Sequence, residues 1–126
     1  MILVVVDHDR GMMSPATWEA LAAARRLGDV HALTIGEAAD GLVDQIGNFG
    51  ATVVHQVHDD LLGDYAPEAW GAVVAQAVTT LDPAIVLATG TDRGNEVMAH
   101  AAARLDLPMV ANVVEFADDE LIRVRC

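Results

Sequence analysis

The chain has 126 residues, 53% of them hydrophobic but only 4% aromatic, enough apolar mass for one layered core and too much for a disordered chain. Its seven arginines, absent lysine and nineteen acidic residues give a net charge of −12, a field that repels nucleic acid and anionic membrane surfaces. No apolar run approaches the roughly 18 residues of a membrane span, and the Met-Ile-Leu-Val-Val-Val-Asp start lacks the basic region of a signal peptide. A cytoplasmic protein without membrane insertion is expected, and Cys126, the sole cysteine, excludes an internal disulfide.

Residues 2–6 form an unbroken β-branched and aliphatic run closed by Asp7, the pattern of a strand buried on both faces. A polar loop over 7–13 follows, with Gly11 as its turning point. Ser14-Pro15 starts a helix, Ser as cap and Pro at the first helical position, where a missing N–H costs nothing. Thr17, Leu21, Ala24 and Leu27 make its inner stripe and Gly28 closes it. Residues 30–35 predict a second strand ending at Gly36. A helix over 38–49, weakened by Gly41 and Gly47, ends at Gly50, and 52–57 read as a third strand. Pro67 opens another helix, with Trp70, Val73, Ala77 and Leu81 at three- and four-residue steps and Asp82-Pro83 as its stop. A short apolar strand over 84–88 leads through Thr89-Gly90-Thr91-Asp92-Arg93-Gly94-Asn95 into a helix reaching Leu105. Beyond Leu107-Pro108, a fifth strand is expected over 109–114. Asp118-Asp119 then turns into a short antiparallel strand over 121–124.

This alternation predicts one α/β domain over 1–126, a Rossmann-like three-layer α/β/α arrangement with a mostly parallel twisted sheet and right-handed crossovers. In open sheets of that kind ligands bind at the carboxyl ends of the strands. The rule selects His8 and Asp9 after the first strand, His58-Asp59-Asp60 after the third, Thr89, Gly90, Thr91, Arg93, Gly94 and Asn95 after the fourth, and Asn112. The Gly90–Gly94 turn gives the backbone freedom to cradle a phosphate or ribose against free helix N–H groups. The same turn equally serves close helix–strand packing, with Thr91 or Asp92 as a cap. Asp7-His8-Asp9 alternates direction along a strand, so its acids and histidine read as a solvated rim rather than a metal site. His31 and His100 are expected to play no part in a site.

Several reaction classes lack their residues. There is neither a Gly-x-Gly-x-x-Gly fingerprint after the first strand nor a Gly-Lys-Ser/Thr phosphate loop. The single Ser, Ser14, caps a helix and forms no Gly-x-Ser-x-Gly elbow. A phospho-receiver would need a lysine after the fifth strand, and the chain has none. No catalytic constellation emerges.

Several segments together resemble the N-terminal domain of the electron transfer flavoprotein α subunit. They are Ile2-Leu3-Val4-Val5-Val6 through His8-Asp9 to Gly11, and Ser14-Pro15-Ala16-Thr17 leading to Ala22-Ala23-Ala24-Arg25-Arg26-Leu27-Gly28. Asp82-Pro83-Ala84-Ile85-Val86-Leu87 continues the pattern. So do Ala99 to Leu107 with Pro108, Asn112-Val113-Val114 and Ile122-Arg123-Val124-Arg125. The resemblance implies an electron carrier component rather than an enzyme. It implies pairing with a β subunit, and flavin dehydrogenases as redox partners through the complex. FAD is expected in a C-terminal domain that this chain lacks, with none held tightly here. The related β subunit binds AMP in an equivalent cleft, so a freestanding adenine-nucleotide module using the Thr89–Asn95 loop is the alternative.

Overall fold

The computed structural model describes residues 1–9, 11–13, 15–58, 66–88, 92–106, 113–117 and 120–123. The first strand, β1 (Ile2–Val5), is buried at every position and lies between two parallel neighbours. It pairs Ile2 to Val30 and Val5 to Leu33 on one side, and Ile2 to Ile85 and Val5 to Ala88 on the other. These partners are β4 (Val30–Ile35) and β6 (Ile85–Ala88); β5 (Val53–Val57) adds to β4, giving the order β5-β4-β1-β6. A strand flanked on both sides and covered on both faces can carry nothing but apolar side chains, which is why residues 2–6 show no polar alternation.

The period-two alternation of side chains divides the core between two faces. Ile2, Val4 and Val6 meet Leu21 and Ala24 of α1 (Pro15–Arg25), together with Ala39, Leu42 and Ile46. Leu3 and Val5 meet Leu33, Ile35, Trp70 and Val74 of α3 (Pro67–Leu81), and Val97 and Ala101 of α4 (Asp92–Leu105). Three layers result, with α1 and the segment after β4 on one face and α3 and α4 on the other. Full burial of Leu3 alone contributes about 2 kcal/mol on area grounds.

Helices α3 and α4 pack tightly because Gly71 leaves a gap. A Cβ there would lie 2.5 Å from His100 Cβ and 3.1 Å from the Val97 carbonyl oxygen. Helix α3 stops at Asp82, which adopts a left-handed conformation (φ 48°) while its N–H bonds the Val78 carbonyl; Pro83 then forbids continuation.

Three expectations need correction. The helix expected over 38–49 is two shorter pieces, a 3₁₀ helix over Glu37–Leu42 and α2 (Val43–Asn48). Gly41 and Gly47 weaken one continuous α-helix there, since each costs about 1 kcal/mol relative to Ala. The loop over 7–13 contains a small antiparallel hairpin, β2 (His8–Asp9) with β3 (Met12–Met13). Gly11 turns it at φ +87°, where a Cβ would strike the Ala38 carbonyl oxygen. The strand expected over 109–114 is found as β7 (Val113–Ala117), and among the described residues it pairs only with β8 (Glu120–Arg123). That antiparallel ribbon was anticipated; a fifth parallel member of the main sheet is not seen among the described residues, and 109–112 lie outside them.

Candidate functional site

At the carboxyl ends of β1 and β6, Val5, Val6, Asp7 and Ala88 face Trp70 from α3 and Arg93, Gly94 and Val97 from the start of α4. The parallel crossovers bring these elements to one rim, as the topology rule requires. The cleft they line is nearly filled by its own walls: its cavity measures about 10 Å³, room for roughly one water. Trp70 is the main reason. Its ring is almost wholly buried, stands 5.4 Å from the His8 ring at a 33° tilt, and has Arg93 Cζ 5.9 Å from its centroid. A guanidinium at that distance over an indole face is attracted by the ring quadrupole.

His8 stands next to Trp70 and is not itself among the residues that line the cleft. Its Nδ1 accepts from the Gly11 N–H at 3.1 Å, so the proton sits on Nε2, which donates to the Ile35 carbonyl at 2.7 Å. Both ring nitrogens are thus occupied, tying the hairpin to the end of β4. Of the residues singled out in the sequence, the structure brings Arg93 and the buried Gly94 to the cleft lining, and His8 to the Trp70 ring beside it. Asn95 is half-buried in the first turn of α4, and Asp9 lies in β2. Thr89, Gly90 and Thr91 lie outside the described residues, as do Asp59, Asp60 and Asn112.

Sequence reasoning placed Trp70 only in a helix stripe. Its role at the cleft was legible just in its position, one turn into a helix that begins at the same rim. Histidines were also underestimated. His31 Nδ1 and His55 Nε2 are 2.9 Å apart across β4 and β5, and His58 Nε2 lies 2.8 Å from Asp40 Oδ1. Burial, helped by the neighbouring His31, lowers the His55 pKa below its usual 6.5. The hydrogen bond to Asp40, with the charges of Asp40 and Glu37 and against a smaller effect of burial, raises that of His58. Among the described residues no group of three or more His, Cys, Asp or Glu is arranged to hold a metal.

Taken together, these features define an α/β domain of the doubly wound kind whose strand-end cleft is packed with its own side chains. The electron transfer flavoprotein domain family matches residues 2–126, and the chain belongs to that family. It is 29% identical over 135 residues to protein FixB of Azorhizobium caulinodans, covering 98% of this chain and 37% of that protein. It is 31% identical over 116 residues to the electron transfer flavoprotein subunit alpha of Mycobacterium tuberculosis, covering 90% and 36%. The corresponding subunit of Syntrophomonas wolfei is 26% identical over 113 residues, covering 89% and 36%. The chain thus spans little more than a third of the length of these curated relatives. Among the described residues no helix is long and apolar enough to cross a membrane.

The family implies FAD. The enclosed part of this cleft among the described residues measures about 10 Å³, less than an isoalloxazine or an adenosine needs, and residues 89–91 beside it lie outside the described residues.

Proposed function

We propose that this chain is the N-terminal α/β scaffold of an electron transfer flavoprotein α subunit. In this reading it docks on a β subunit, and the assembled dimer carries electrons from flavin dehydrogenases toward the respiratory chain. The match to the family over residues 2–126 is the observation that carries it. The small cleft supports a docking role, because Trp70 and Arg93 line a cavity of only about 10 Å³ at the strand ends. The flavin is then held elsewhere in the assembly, and the chain works in the cytoplasm as a carrier component rather than an enzyme. The adenine-nucleotide alternative draws no support from the described part of the cleft.

Mixing the purified chain with a β subunit from the same organism and FAD, followed by sizing chromatography, tests this. Co-elution of the two chains is expected. Separate elution at every flavin concentration would reject the proposal.

A further inference from the structure

Strand β5 is an outer strand of the main sheet among the described elements, and it carries one histidine contact at its middle and another just past its carboxyl end. At the middle of the strand His55 Nε2 meets His31 Nδ1 at 2.9 Å, with the rings tilted by 35° at a centroid distance of 5.1 Å. Asp29 Oδ2 lies 3.5 Å from His31 Nε2, and Asp29 is itself held by the Thr52 hydroxyl at 2.7 Å. The carboxylate favours a proton on His31 Nε2, so His31 Nδ1 accepts and His55 Nε2–H donates. At the carboxyl end Asp40, on the 3₁₀ helix, accepts from His58 at 2.8 Å and from Gln56 at 2.9 Å.

We propose that β5 is fastened by two histidine contacts of opposite proton dependence, so that both contacts hold together only over a band of pH near neutrality. The His31–His55 contact needs one imidazole nitrogen without a proton. When both rings are charged, neither nitrogen accepts, and two cations face each other at hydrogen-bond distance. The carboxyl-end contact is strongest when His58 is charged against Asp40.

The signs follow from the environments. Burial and the adjacent His31 lower the pKa of His55, so its contribution is complete above 6.5 and disappears as pH falls through the lowered value. The Asp40 hydrogen bond raises that of His58, so its contribution is complete below 6.5 and fades as pH rises through the raised value. The band lies between those two values.

Asp29 and the Met1 ammonium lie at the amino-terminal rim, where Ile2 is in register with Val30. The single charged residue of α3, Glu68, is in its first turn at the opposite rim. Asp40 and Glu37 face His58 from the 3₁₀ helix, Asp44 begins the next one, and Asp59 and Asp60 follow in the sequence. His58 and Asp40 are 44% and 39% exposed, so that contact is also weakened by salt.

Two backbone amides lie on either side of the His31–His55 contact, one beside His31 and one beside His58: Thr52 N–H bonds the Val30 carbonyl, and Gly36 N–H bonds the Val57 carbonyl. Amide exchange followed by NMR at low salt, from about pH 5 to about pH 8.5 and corrected for intrinsic rates, is the test. Protection at Thr52 should fall at least about threefold toward the acid limit, and protection at Gly36 should fall toward the alkaline limit. His55→Leu should abolish the acid limb alone, and His58→Leu the alkaline limb alone. His31→Asn replaces His55→Leu if the latter fails to fold. Flat protection at both amides in the unaltered protein, or limbs that persist in the variants, would overturn the proposal.

Discussion

Replacing His8 with alanine separates a packing role from a ligand-binding one. The side chain is 4% exposed, donates to the Ile35 carbonyl and accepts from the Gly11 N–H. Alanine leaves both backbone groups without their partner. Each such group costs about 1–3 kcal/mol if water stays out, and less if water enters the vacated space. Lost contact with Trp70 adds to this, because ring pairs of this kind contribute about 0.5–1.5 kcal/mol. Taking the lower part of each range, because the rim lets water in, His8→Ala should cost about 2–4 kcal/mol. Urea unfolding followed by tryptophan fluorescence would show the midpoint falling by roughly 1–2 M, with the slope unchanged. The exposed His100→Ala serves as control and should stay within about 0.5 kcal/mol. A His8→Ala loss below about 1 kcal/mol would refute the hydrogen-bonded geometry and return His8 to the pool of free ligand-binding groups.

Other perturbations test other parts of the fold. Gly71→Ala puts a Cβ 2.5 Å from His100 Cβ, so α3 and α4 must separate; chemical denaturation should show a loss of about 1–3 kcal/mol despite the better helix propensity of alanine. Thr34 is fully buried and its hydroxyl has no hydrogen-bond partner among the described residues. Thr34→Val should therefore raise stability by about 1 kcal/mol in the same assay, and a loss would show that the hydroxyl is satisfied. Thermal unfolding of His58→Leu should differ from the unaltered protein more at pH 6 than at pH 8, since a raised pKa confers its stabilisation on the acid side.

The layered fold was legible because its strands and helices obey different periods. The run at residues 2–6 allows only a strand buried on both faces, and Pro15 and Asp82-Pro83 punctuate helices by backbone chemistry that tertiary context rarely overrides. The 38–49 segment was harder, because two glycines leave the choice between α and 3₁₀ geometry to packing against β4 and β5. Histidine roles were hidden for a related reason. His31 and His55 are 24 residues apart, and only the β4–β5 register places them on the same face. The strand-end rim follows from topology, and the described residues form a small cleft there. Its closure depends on the Trp70 ring and the Arg93 guanidinium meeting there, which no local pattern announces.

Isothermal titration of the chain, first with an electron transfer flavoprotein β subunit and then with AMP, tests most directly whether this domain is a docking scaffold with a filled cleft. Saturable heat is predicted with the β subunit, and none with AMP at millimolar concentration. Binding of AMP together with silence toward the β subunit would contradict the account.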